Sequence, residues 1–158
     1  MRKTLTRTTR LVSLLIASFF GAGYIRPASA TWGSLASGIS LFLFWPLLDL
    51  ATKVTLIVVV FLLGVFLSDQ IEKKEKIHDP YFIVIDEVVG MMITTLLLPQ
   101  VLWQWVLAFF LFRFFDIAKL WPASYFDRRK GGFAIMFDDV LMGICSLVVL
   151  ELILMFGV

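Results

Sequence analysis

Residues 79–90, DPYFIVIDEVVG, decide how the rest of the chain is interpreted. They place two adjacent carboxylates, Asp86 and Glu87, directly before the apolar run 88–99. Burying an unpaired carboxylate beside hydrocarbon is costly, so acidic side chains at such positions are candidates for function. The Asp79-Pro80 pair favours a helix start, which predicts that Asp86 and Glu87 lie one to two turns inside a helix. The alternative is that they only mark its solvated end.

The composition indicates a membrane protein. Of the 158 residues, 60% are hydrophobic, and the mean hydropathy of +0.94 is far above that of a soluble domain. We expect a single all-α membrane domain over residues 1–158, with about four to five membrane helices and a short N-terminal interfacial or re-entrant segment. Residues 1–10 form a basic tail. The apolar runs are 11–25, 39–50, 54–67, 88–99, 101–112 and 140–156.

The first 30 residues also resemble a secretory signal, since basic residues precede an apolar core and Ala28-Ser29-Ala30 forms an A-x-A pattern. However, Gly21, Gly23 and Tyr24 interrupt that core. A chain with several spans also needs no cleaved signal. The favoured interpretation is that the segment is retained.

The charge distribution predicts the orientation of the helices. If the first segment does not cross, every Lys and Arg except Lys53 lies on one side, which the positive-inside rule makes the cytoplasmic side. Turns at 49–53 and 99–100 then face the opposite side. The last helix, 140–156, is opened by Asp138 and Asp139. The acids that converge on the cytoplasmic side are Asp79, Asp86, Glu87, Asp116, Asp127, Asp138 and Asp139.

These carboxylates favour a hard metal ion. The chain has one cysteine, Cys145, and one histidine, His78, so no thiolate or imidazole ligand set is available. Oxygen ligands alone favour Mg²⁺, which commonly bridges to a substrate phosphate. Covalent phosphatase mechanisms are disfavoured because neither residue has a catalytic partner. A metal-held water attacking phosphorus is the reaction that the residues favour.

Basic residues beside the acids suggest a phosphorylated lipid as substrate. Arg113 and Lys119 flank Asp116 at i, i+3 spacing, and Arg128 and Arg129 follow in a loop. Their side chains are donors suited to phosphate oxygens. For the loop arginines, attraction to lipid headgroups alone is the alternative.

Several ordered motifs together resemble the phosphatidylglycerophosphatase A family. They cover residues from about 20 to 145, which we take as the catalytic region. Two departures from the family pattern are Ser29-Ala30, where Pro-Gly is usual, and Leu120, where Pro is usual. The motifs are GYIRP at 23–27, TWGSLA at 31–36, IVIDEVVGM at 83–91, FRFFDIAK at 112–119, FDRR at 126–129 and GGFAIMFDD at 131–139.

The resemblance implies a Mg²⁺-dependent, multi-pass enzyme of the bacterial inner membrane, with its active site on the cytoplasmic face. It would hydrolyse the terminal phosphate of phosphatidylglycerophosphate to give phosphatidylglycerol. Gly90 and Gly143 would let the two acid-bearing helices approach each other. The site residues implied are Asp86, Glu87, Asp116, Asp138 and Asp139, with Asp86, Glu87, Asp138 and Asp139 as metal ligands or water activators and Arg113, Lys119 and Arg128 binding the phosphates.

Two other classes of membrane protein fit the sequence less well. A CDP-alcohol phosphotransferase would need a D-G-x-x-A-R type run, which the sequence lacks. A small membrane transporter or assembly subunit would place carboxylates near the bilayer midplane, often within inverted repeats. No such repeat is found in the sequence, and its acids lie near predicted helix ends.

Overall fold

The protein is built from helices. The computed structural model describes residues 7–77, 80–119, 121, 123–127 and 129–156, and every regular element among them is helical, which confirms the all-α prediction. Short 3₁₀ turns occur at Ala22–Tyr24 and Trp45–Leu47. The α-helices are α1 (Arg7–Ala17), α2 (Ser29–Phe44), α3 (Leu50–Glu75), α4 (Ile85–Thr94), α5 (Leu102–Ala118), α6 (Ala123–Asp127) and α7 (Gly132–Phe156).

Three helical segments are long and apolar enough to cross a membrane: Ser29–Leu47, α3 and α7. In α5, 17 residues give about 25 Å of helix, slightly short of a hydrocarbon core about 30 Å thick. The ten residues of α4 give only about 15 Å. Three helices therefore meet this criterion among the described residues, and the expected count of four to five membrane helices stays a prediction.

The short helix α4 lies at the centre of the bundle. All ten of its residues are buried. It packs most extensively against α7 and also contacts α2, α3 and α5. Protein therefore surrounds α4 on every side, and its polar first turn is kept away from lipid.

The start of α4 differs from the prediction. Asp86 and Glu87 lie in the first turn of the helix and not one to two turns inside it. The backbone N–H of Val84 donates to the carbonyl of Ala17 at 2.9 Å, which ties the preceding segment to α1 and keeps it out of the helix. Asp79, the predicted cap, lies outside the described residues.

The start of α7 also differs. The helix begins at Gly132, so Asp138 and Asp139 lie about two turns inside it and do not open it. A Cβ at position 132 would collide with the carbonyl oxygen of Val65. Glycine thus lets α7 begin directly against α3, earlier than the charge pattern indicated.

The predicted turn at 49–53 is instead the beginning of α3. Asp49 is its N-cap, and its Oδ1 accepts from the backbone N–H of Thr52 at 2.7 Å. This bond favours the ionised carboxylate and holds the pKa of Asp49 below its ordinary value. A side-chain cap therefore turns a polar stretch into a helix start.

The two ends of the bundle carry different charged groups. At one end Lys53 Nζ donates to the carbonyl of Leu96 at 3.0 Å, and Gln100 Nε2 donates to that of Phe42 at 3.1 Å. The start of α3 and the turn at 99–100 therefore lie at the same end of the bundle. We call it the lysine end. The opposite end, the acid end, holds Asp86, Glu87, Asp116, Asp138 and Asp139.

Candidate active site

The two acidic pairs of the acid end lie on different helices and are buried. Asp86 and Glu87 are 8% and 6% exposed, and Asp138 and Asp139 are 5% and 4% exposed. In each pair the first carboxylate accepts from the next backbone N–H, at 3.0 Å on α4 and 3.1 Å on α7. The alternative that Asp86 and Glu87 mark a solvated helix end is therefore wrong. On α4 the positive end of the helix dipole favours their charge.

Glycines bring the acid-bearing helices together. A Cβ on Gly143 would lie 2.8 Å from the carbonyl oxygen of Gly90, and one on Gly90 would lie 3.3 Å from that of Asp139 and collide with the Phe112 ring. Both positions thus require a residue without a side chain. The prediction that these glycines allow close approach of α4 and α7 is confirmed.

Three of the carboxylates meet at this contact. One oxygen each from Asp86, Glu87 and Asp139 lies within 4.8 Å of the other two. Asp116, on α5, interacts electrostatically with Glu87 and Asp139. Helices α4, α5 and α7 therefore direct negative charge into one small volume.

Part of this negative charge has no hydrogen-bond partner among the described residues. Glu87 Oε2 and Asp139 Oδ2 are buried and have no hydrogen-bond partner among the described residues. Such an atom costs about 1–3 kcal/mol, and more when the group is charged. A cation among the three carboxylates would offset both this cost and their repulsion. The hard oxygen donors fit Mg²⁺ or a similar ion.

Arg113 links the site to α2. Its Nη1 lies 2.7 Å from Asp116 Oδ2 and donates to Ser34 Oγ at 3.3 Å. Ser34 is fully buried and donates in turn to the carbonyl of Ala30 at 2.9 Å. Ser34 lies in the TWGSLA motif but was not among the predicted site residues. No local sequence pattern identifies this contact, because Ser34 and Arg113 are far apart in the chain.

The other predicted residues are placed differently. Asp138 does not join the three clustered carboxylates, and its Oδ2 lies 3.2 Å from Lys119 Nζ. The Lys119 side chain is 32% exposed, so it lies at the entrance to the buried group. Arg128 is outside the described residues.

Comparison with known proteins identifies the family. The family model described as phosphatidylglycerophosphatase A matches residues 15–154. The chain belongs to the phosphatidylglycerophosphatase A family. The family resemblance read from the motifs is thereby confirmed.

Relatives cover most of the chain. A phosphatidylglycerophosphatase A of Haemophilus influenzae is 44% identical over 137 residues, which are 85% of this chain and 84% of the relative. One of Escherichia coli is 40% identical over 138 residues, 84% and 77% of the two chains. A Bacteroides thetaiotaomicron protein, with the provisional name phosphatidylinositol-3-phosphatase, is 34% identical over 144 residues, 87% and 90% of the two chains. No solved structure matches.

Membership in the phosphatidylglycerophosphatase A family makes this protein an enzyme, as expected from the sequence. The matched region contains the whole acid end. It also contains the three apolar helices that indicate a membrane protein. The buried carboxylates and the family assignment therefore concern the same part of the molecule.

Proposed function

We propose that this enzyme hydrolyses the terminal phosphate of phosphatidylglycerophosphate, releasing phosphatidylglycerol and inorganic phosphate. Two relatives named phosphatidylglycerophosphatase A, at 44% and 40% identity, support this substrate. The observation that carries the proposal is the gathering of three buried carboxylates from two helices in a chain of this family. A phosphatase needs such charge density to hold a metal ion against a phosphate.

We propose Mg²⁺ as the cofactor, held by Asp86, Glu87 and Asp139. When bound there, the ion would lower the pKa of a coordinated water and withdraw charge from the phosphoryl oxygens. The unpartnered oxygens of Glu87 and Asp139 support this assignment. Asp138, predicted as a fourth ligand, is better suited to holding Lys119 in place.

The basic residues would bind the phosphates. Lys119 lies at the entrance and is partly exposed, so its ammonium can donate to a phosphate oxygen. Arg113 orients Asp116 through their 2.7 Å contact, and its Nε has no partner among the described residues. This unpartnered donor supports our proposal of Arg113 as a second phosphate-binding residue. Arg128 stays a predicted phosphate-binding residue.

We further propose that the protein lies in the bacterial inner membrane with the acid end toward the cytoplasm. Basic residues gather at this end, where Lys73 and Lys74 occupy the last turn of α3. Lys76 and Lys130 line one depression with Lys73. The positive-inside rule assigns such an end to the cytoplasmic face.

Phosphate release from purified enzyme tests the proposal. In detergent with Mg²⁺, we expect inorganic phosphate from phosphatidylglycerophosphate and much less from phosphatidylinositol 3-phosphate, with release stopped by EDTA. Asp86→Asn should lower kcat at least about 100-fold, because even changes to groups behind metal ligands cost 10- to 100-fold. Asp49→Asn is the matched control, since it makes the same change at the lysine end and keeps a capping side chain.

Two results would contradict the proposal. Full turnover in Asp86→Asn would remove that residue from the site. Ion flux in proteoliposomes without any phosphate release would favour the transporter alternative.

A further inference from the structure

An apolar groove of about 390 Å³ opens between α2 and α5. The described residues that line it are all apolar, and the fully buried Met91 of α4 forms part of its wall. The indole N–H of Trp105 donates to the carbonyl of Pro99 at 2.8 Å, so this polar group is already satisfied. The groove thus offers a surface for hydrocarbon only.

The groove comes within about one helical turn of the acid end. Leu35 lines it directly after Ser34, the acceptor of the Arg113 bond. Phe109 lines it one helical turn before Arg113 on α5, and Met91 one turn after Glu87 on α4. Helices α2, α4 and α5 therefore each supply a groove residue within about 6 Å, along the helix axis, of a residue at the site, whereas α7 supplies none.

The dimensions of the groove suit a single chain. It follows α5 from Leu102 to Phe110, about 12 Å at the helical rise, which is most of one leaflet of a hydrocarbon core about 30 Å thick. An α-helix is about 10–12 Å across and rises about 5.4 Å per turn. The whole volume of the groove is therefore roughly that of one helical turn, too little for a partner helix to enter.

We propose that the groove holds one acyl chain of the lipid substrate while the phosphorylated headgroup lies at the acid end. This inference rests on the proposed function, since only a lipid substrate carries both parts. The groove begins about one helical turn from the polar cluster and runs along α5 toward the lysine end. A headgroup at Lys119 and a chain along α5 would follow that course.

The groove acts by positioning. Lipid tails are as apolar as its walls, so moving a chain into it from the bilayer yields little affinity. A chain fixed there limits the positions that the attached phosphate can take. Correct placement of reacting groups can change rates by orders of magnitude.

Filling the groove tests the inference. Gly38→Leu places a side chain against Met91, whose methyl group would lie 3.2 Å from the new Cβ. Val106→Trp fills the groove from α5, at a position 47% exposed and so tolerant of a larger side chain. Val148→Trp is the matched control, because Val148 is 53% exposed on α7 and does not line the groove.

Two substrates separate the inference from the proposed function. We expect both groove variants to lower kcat/KM for dioleoyl phosphatidylglycerophosphate on the order of tenfold. The deacylated headgroup, glycerophosphoglycerophosphate, should be hydrolysed equally by wild type, groove variants and control. If wild type releases phosphate from neither substrate, the proposed function itself is refuted.

The inference is overturned if wild type is active and both groove variants process the dioleoyl lipid as Val148→Trp does. An equal loss on both substrates would also overturn it, since the groove would then affect the site and not the chain. A change of oligomeric state in Val106→Trp, measured by light scattering, with unchanged lipid selectivity would assign the groove to a second copy of the protein.

Discussion

The lysine end and the acid end both bury charge, but they differ in how that charge is satisfied. Lys53 is only 7% exposed, yet it donates to the Leu96 carbonyl and lies 5.9 Å from the centre of the Trp45 ring. At the acid end, Glu87 and Asp139 each keep a buried oxygen without a partner among the described residues. The lysine end has paired its buried charge within the fold. The acid end pairs Asp116 with Arg113 and Asp138 with Lys119 but leaves those two oxygens for something else to pair.

This difference distinguishes buried charges that stabilise the fold from buried charges that serve function. A buried charge with its partners in place joins elements of the fold, here α3 to the segment after α4. Like charges crowded together without partners lower stability and persist where a ligand compensates them. The lysine end should therefore matter for folding, and the acid end for catalysis.

The largest effect should come from Asp139→Asn, which keeps the shape of the side chain and removes its charge. We expect at least about a 100-fold loss of phosphate release, because the three-carboxylate group loses a member. Without Mg²⁺ the melting temperature should stay equal or rise, since repulsion is relieved. Glu151→Gln, on the same helix, is the control for both measurements. A clear drop in stability with activity retained would reverse the roles of the two ends.

Mg²⁺ should stabilise the acid end selectively. A ligand at 100 times its Kd stabilises the native state by about 2.7 kcal/mol, so the unfolding temperature of wild type should rise on adding Mg²⁺ and fall with EDTA. Glu87→Gln should lose most of this rise, and Lys53→Met should keep it. Thermal unfolding in detergent measures all three proteins. Equal rises in all three would place the ion elsewhere.

The next largest effect should come from disturbing the glycine contact between α4 and α7. Gly143→Ala adds a Cβ that would lie 2.8 Å from the Gly90 carbonyl oxygen, and such overpacking typically costs about 1–3 kcal/mol. The helices that carry the carboxylates must separate, so activity should fall as well. Ile144→Ala, at a lipid-facing neighbour, should leave activity unchanged. Wild-type turnover in Gly143→Ala would show that the close approach is not needed.

The smallest effect on turnover should follow Lys53→Met. The Leu96 carbonyl loses its donor, and we expect a stability loss of about 1 kcal/mol. Phosphate release should remain within about twofold of wild type. A tenfold loss of turnover would correspond to roughly 1.4 kcal/mol, and we expect the effect to stay below that. A large loss of turnover with normal stability would show that the lysine end contributes to catalysis. The assignment of folding to one end and catalysis to the other would then be wrong.

Sequence reasoning found the acids because their setting is chemically unusual. Carboxylates beside long apolar runs, with no histidine or cysteine set, limited the chemistry before any fold was known. Likewise Gly90 and Gly143 indicated close helix packing. Composition and the small-residue rule for membrane helices are sufficient for both conclusions.

Helix boundaries could not be found in the same way. Asp79-Pro80 is a good local start signal, but the bond from Val84 to Ala17 connects residues far apart in sequence. The pairing of Asp138 with Lys119 and of Arg113 with Ser34 also depends on which helices become neighbours. Local patterns give residue types and spacings, whereas these partners are set by tertiary packing.

The enclosure of α4 has a consequence for biosynthesis. Translation makes α7 after α4, yet α7 supplies the largest share of the protein surface that covers α4. Until the ribosome has delivered that helix, the nascent chain holds a ten-residue segment with two carboxylates that is too short to be inserted alone. Because Asp139 lies on α7, the three carboxylates cannot come together until that helix has been made.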